Sequence, residues 1–202
     1  MNPRNSSVRS AGWAALLVVA AVMLGCGGGS SGTTTGPVVT TFTPASPIVD
    51  GSLAMRAGNS AGSTITIKVS ATQIPSFFGA AFYVTYNPSV LRFNGMDSAG
   101  SFLLAGVSAS DVVFLADNAT PGTVKVVASR LDPTTAPAVP VTTTADLLTL
   151  SFSSTQAIPP GSATGVLAFG DPKQVCDGTA AYPTCTAVPG ITWIGGSITS
   201  TQ

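Results

Sequence analysis

The chain has 202 residues with eight Lys or Arg, eight acidic residues that are all Asp, and no His, so its formal net charge is zero. Only 8% of the residues are charged, which leaves no basic field to hold nucleic acid or an anionic membrane face. Without His or Glu, Ser/His/Asp and Cys/His nucleophile systems are excluded, and a glycosidase pair would need two of the scattered Asp97, Asp111, Asp117, Asp132 or Asp146 to converge. The expectation is a non-enzyme, with each Asp capping a turn or solvating a loop.

The first element is a processing segment. Arg4 and Arg9 precede an apolar run over 11–24 that ends at Gly25-Cys26. About 15 apolar residues are short of the roughly 20 that a spanning helix needs, and the small residue at the end suits a cleavage site. Met23-Leu24-Gly25-Cys26 resembles the lipobox of bacterial lipoproteins, although that family usually has Leu where this chain has Met23 and a smaller residue in place of Leu24. The resemblance implies a signal peptide over 1–25 and lipidation of Cys26; an ordinary signal peptide cut near Gly25 is the alternative. Gly27, in place of the aspartate that retains many lipoproteins at the inner membrane, implies the outer membrane, with lipid as the only membrane attachment.

Removing residues 1–25 leaves 177, enough for one domain with a substantial core. Residues 26–40 begin with a Gly/Ser/Thr-rich stretch that has almost nothing to bury and reads as a tether, with an r.m.s. span of roughly 15–20 Å over its first ten or so residues. The domain proper is expected over 41–202.

From residue 38 onward, short β-rich runs alternate with Gly, Pro, Asn and Asp, and no window sustains a helical period. Weak strand starts fall near Val39 and Ser52. The clearest strand is 64–70, where Ile65, Ile67 and Val69 alternate with polar residues. In 78–86, Phe78, Ala80, Phe82, Val84 and Tyr86 fall on one side, the expected core, and Gly79, Ala81, Tyr83 and Thr85 on the other. Further strands are expected over 90–96, 111–116, 123–130, 145–153, 165–169 and 191–199, with 132–144 as a loop. About nine or ten strands at this spacing indicate an all-β, two-sheet sandwich with Greek-key or jelly-roll connections.

Near the end, Cys176 and Cys185 lie in a loop with Asp177, Gly178 and Pro183. In an exported chain they read as a disulfide, worth about 2.5–3 kcal/mol by loop closure. A metal reading is poorer, since two cysteines without His or further Cys do not complete a tetrahedral site; neither metal nor cofactor is expected, with a weak calcium site on oxygen ligands at an Asp-bearing loop as the alternative.

Three blocks carry a family resemblance: Ile65 with Ile67 and Val69; Gly79-Ala80-Ala81-Phe82-Tyr83-Val84-Thr85 running into Tyr86-Asn87-Pro88-Ser89-Val90-Leu91; and Gly195-Gly196-Ser197-Ile198-Thr199. Together they resemble a bacterial cohesin domain, in which a Gly-containing strand runs into Tyr-Asp-Pro-x-x-Leu and a Gly-Ser-Ile strand closes the fold. The resemblance implies a nine-stranded jelly roll, related to carbohydrate-binding modules, that docks a protein partner such as a calcium-loaded dockerin. It places partner binding on Gly79, Ala81, Tyr83 and Thr85. Members that bind type I dockerins carry Asn and Asp where this chain has Gly79 and Ala81, so the face here is flat and nearly apolar. Polysaccharide binding is the alternative, with Tyr83, Tyr182 and Trp193 as aromatic candidates and Trp193 expected to be largely buried. A structural envelope lipoprotein without a discrete ligand is the third reading.

Overall fold

The computed structural model describes residues 39–201. The signal peptide, Cys26 and most of the expected tether lie outside the described residues. Strand β1 (Val39–Pro44) takes in Val39 and Thr40, which the expected tether over 26–40 had included.

Thirteen strands form among the described residues. A six-stranded sheet runs in the order β1, β13 (Gly196–Thr201), β11 (Val166–Cys176), β5 (Gly79–Thr85), β8 (Thr123–Arg130), β7 (Val112–Asp117). A five-stranded sheet runs β12 (Thr192–Ile194), β2 (Ser52–Ala61), β3 (Thr64–Thr72), β10 (Ala145–Ser154), β6 (Leu91–Asp97). The short pair β4 (Ile74–Phe77) and β9 (Val139–Val141) makes a third ladder. Every pairing is antiparallel except β12 with β2, and β1 pairs with the last strand, which gives the sandwich its long-range closure.

The core lies between the two larger sheets and follows from alternation. Ile65, Ile67 and Val69 of β3 are buried against Phe82, Val84 and Val126 of the opposite sheet in one apolar cluster. Tyr86 and Phe93 stack edge-on against Phe152 at 5.4 and 5.5 Å between centroids. Such T-shaped pairs add about 0.5–1.5 kcal/mol each beyond area burial.

The architecture is the expected all-β sandwich, with several elements divided differently. The run over 78–86 is preceded by β4, which pairs with β9 inside the stretch expected to be a loop. The strand expected over 165–169 extends to Cys176 through a bulge between Gly170 and Gln174. The strand expected over 191–199 is two strands in different sheets, parted at Gly195, where a Cβ would collide with the carbonyl of Leu167. The Asn87-Pro88 turn forms as read: Asn87 Oδ1 accepts the amide of Ser89, and its carbonyl accepts the amides of Val90 and Leu91.

Candidate binding face

The pairings of β5 with its neighbours define one outer surface. Ala80, Phe82 and Val84 point into the core, so Gly79, Ala81, Tyr83 and Thr85 share the opposite side, as the alternation predicts. Across β8 they face Ser129, Val127, Lys125 and Thr123 in turn. Across β11 their partners are Cys176, Gln174, Gly170 and Ala168. Edge strand β7 continues these rows with Val113, Leu115 and Asp117.

The middle of this surface is small and uncharged: Ala81, Val127 and Leu115 lie in one row, with Leu115 53% exposed. The next row is polar, with Tyr83, Lys125 and Asp117, and the Lys125 ammonium lies 5.9 Å from the centre of the Tyr83 ring. That cation–π contact occupies a ring which a stacking sugar would otherwise use. Opposite the polar row, the face is closed by a loop. Cys176 and Cys185 form a disulfide with their Cα atoms 5.2 Å apart, and the loop between them is held by bonds to flanking strands. The Ser76 hydroxyl donates to the Asp177 carbonyl at 2.6 Å, and the Tyr182 amide to that of Leu131 at 3.1 Å.

Gly79 therefore does not sit on open surface. It shares the face by register but is buried between Cys176 and Ser129, where a Cβ would run into the Ser129 side chain. Ala81 and Tyr83 are partly exposed and Thr85 is exposed. Trp193 is half-buried, edge-on to Phe169 at 5.0 Å, and lines an open groove of about 370 Å³ that also borders Lys173; Tyr182 is exposed on the disulfide loop. Val127, Lys125 and Leu115 were absent from the sequence reading of the face. The alternation of Val124, Val126 and Ala128 with Lys125 and Val127 was visible, but only register shows which strands flank β5.

The Asp residues take the roles the sequence suggested. Side chains of Asp97, Asp117, Asp132 and Asp177 accept the amide two residues ahead, and Asp111 caps Ser108. Asp146 instead accepts from Lys68 at 2.5 Å and Ser70 at 2.7 Å on the outer side of the five-stranded sheet.

Comparison with known proteins identifies this architecture. A family model described as "Cohesin domain" matches residues 53–176. A type II cohesin domain from the cellulosome of Acetivibrio cellulolyticus superposes with a TM-score of 0.55 at 18% identity, over 73% of this chain and 94% of that one. Type II cohesin A11 from Bacteroides cellulosolvens gives 0.52 at 12% identity, covering 72% and 96%. The type II cohesin dyad of the ScaA scaffoldin of Acetivibrio cellulolyticus gives 0.53 at 19%, covering 70% of this chain and 44% of the dyad. No curated protein matches the chain.

Proposed function

The chain belongs to the cohesin domain family, and from that premise we propose that it is a lipid-anchored recognition module whose outer face on β11, β5, β8 and β7 receives a dockerin-like protein. The family is a non-catalytic protein-binding module. The observation that carries the assignment of the face is the row Ala81, Val127 and Leu115, an uncharged strip of small and aliphatic side chains that is partly exposed at Ala81 and Val127 and exposed at Leu115. A flat surface of this kind favours close backbone approach and apolar contact at the centre, with Tyr83, Lys125 and Asp117 as a polar rim. Since Gly79 and Ala81 carry no polar side chain, recognition rests on shape and apolar contact rather than on hydrogen bonds from those positions.

The test uses the purified protein and the host's own secreted and envelope proteins, with and without calcium. Wild type retains one protein, and Ala81→Arg weakens that retention by about thirtyfold, the effect of roughly 2 kcal/mol lost at the centre of an interface. Equal retention by the two would remove this face from the reading.

Anchoring at Cys26 in the outer membrane is the second part of the proposal, supported by Arg4, Arg9, the apolar run and Met23-Leu24-Gly25-Cys26. Cells fed labelled palmitate incorporate it into the wild-type chain and not into Cys26→Ser; label in both would refute it. Polysaccharide binding has one favouring observation, the half-buried Trp193 beside Lys173 in its groove. Under that reading Trp193→Ala loses retention on immobilised glycan while Ala81→Arg keeps it.

A further inference from the structure

The disulfide loop builds a recess beside the middle row of the binding face. Between Tyr182-Pro183 on the loop and Ala81-Val127 on the sheet lies a cavity of about 220 Å³, and none of its ten lining residues is charged. The Cys176–Cys185 bridge forms part of its wall. Of its polar lining residues, the buried Ser129 donates its hydroxyl to the Arg130 carbonyl at 2.8 Å, while Gln174, Tyr182 and Thr184 are exposed to water.

The recess is held open by bonds on both sides of the loop. Besides the Ser76 and Tyr182 bonds, the Thr179 hydroxyl donates to Asp177 Oδ1 at 2.8 Å and accepts from the Thr186 hydroxyl at 2.7 Å. The returning chain is clamped to β11, with the Asp177 amide donating to the Thr186 carbonyl and the Val188 amide to that of Val175. The wall is thus fixed before any ligand arrives, which lowers the ordering cost of binding.

From this geometry we propose that the recess is the anchor site for one uncharged apolar side chain of the protein partner. The inference rests on the reading of the face as a protein-binding surface. Two observations select the occupant. Ala81 and Val127 belong both to the recess and to the apolar row of the face, so a protein lying along that row passes over the mouth. The volume suits one side chain rather than a helix, and the uncharged lining would leave a Lys, Arg, Asp or Glu head desolvated and unpaired. A side chain desolvated in a pocket beside the middle row of a face is a form that interface anchors take.

The test is a methyl and amide NMR titration of the purified protein with N-acetyl-leucinamide, using N-acetyl-lysinamide as the charged control. Saturable shifts confined to Ala81, Val127 and Tyr182 are expected with the leucine probe and not with the lysine probe. Ala81→Leu, which fills the recess, weakens the titration at least about tenfold, and Tyr182→Ala, which opens an exposed wall with little cost to folding, weakens it at least about fivefold. Absent shifts, equal shifts with both probes, or titrations unchanged in both variants would overturn the proposal.

Leu115→Arg separates this from the wider reading, because Leu115 lies on the face but outside the recess. If Leu115→Arg abolishes partner retention while the probe fails to bind, the face stands without its anchor. If the probe binds as expected but Leu115→Arg and Ala81→Leu both leave partner retention unchanged, the face is not the partner's and the assignment of the recess falls with it.

Discussion

Arg130 is a cation held without a carboxylate among the described residues. It is 3% exposed, and its guanidinium donates to the carbonyls of Leu103 at 3.0 Å and Ala105 at 2.7 Å, and also to that of Pro137. Burial lowers its pKa from the ordinary arginine value. The planar fork serves three carbonyls from two separate loop segments, a geometry that Lys does not reproduce. Arg130→Met leaves those carbonyls short of donors in a dry site and is expected to cost about 3 kcal/mol in urea unfolding. A loss under about 1 kcal/mol would mean that water replaces the guanidinium. Asp146 gives a second residue-scale prediction. Burial pushes its carboxyl up, but the bonds from Lys68 and Ser70, with the charges of Lys68 and Arg56, outweigh this and hold it below the usual carboxylate range. A carboxyl whose folded pKa is depressed contributes stability that is present above its unfolded value, near 3.9, and lost as pH falls through the folded value. Asp146→Asn should therefore lower stability at neutral pH and narrow its gap to wild type as the pH drops from about 5 to 2; a constant gap across that range would contradict the ion pair.

At the scale of elements, alternation was legible and adjacency was not. Ile65, Ile67 and Val69 buried one face of β3, and the two sides of β5 sorted as period two demands. The break between β12 and β13 was hidden because Trp193 and the residues on either side of Gly195 continue one plausible pattern. What parts them is a tertiary contact, the Leu167 carbonyl against the bare Cα of Gly195. Gly195→Val is expected to cost 2 kcal/mol or more, roughly the penalty of overpacking, read as a drop in the thermal midpoint. The burial of Gly79 was equally invisible, since it depends on Ser129 of β8 and Cys176 of β11, both distant in sequence. The disulfide loop that follows β11 supplies its own prediction. Reducing the Cys176–Cys185 bridge restores chain freedom to the unfolded state and should lower stability by about 2.5–3 kcal/mol. In a domain of this size that amounts to roughly 5–12 °C in midpoint, measured by calorimetry with and without reductant. An unchanged midpoint would show that the loop is held by its hydrogen bonds alone.

For the whole molecule, the decisive pairing joins the two ends of the described chain. Val39 lies opposite Thr201 and Pro44 opposite Gly196, so β1 finds its partner only at the far end of the described chain. Pairings this distant in sequence make folding slow, on the millisecond-to-second scale typical of sandwiches. The same pairing puts both ends at one edge of the six-stranded sheet, five strands from β7 at the other. At roughly 4.8 Å per strand, the Leu115 side of the proposed face stands about 24 Å from β1. If the face depends only on the closed sandwich and not on where the chain begins, cutting it elsewhere should leave it intact. The exposed turn at Gly161, with its φ of 75°, is a suitable opening, and a linker of about three glycines can join Thr201 to Val39. This permutant is expected to fold with the same strand pairings and to keep wild-type partner retention. Native-like amide dispersion together with lost retention would show that the entry of the chain at β1 contributes to binding directly.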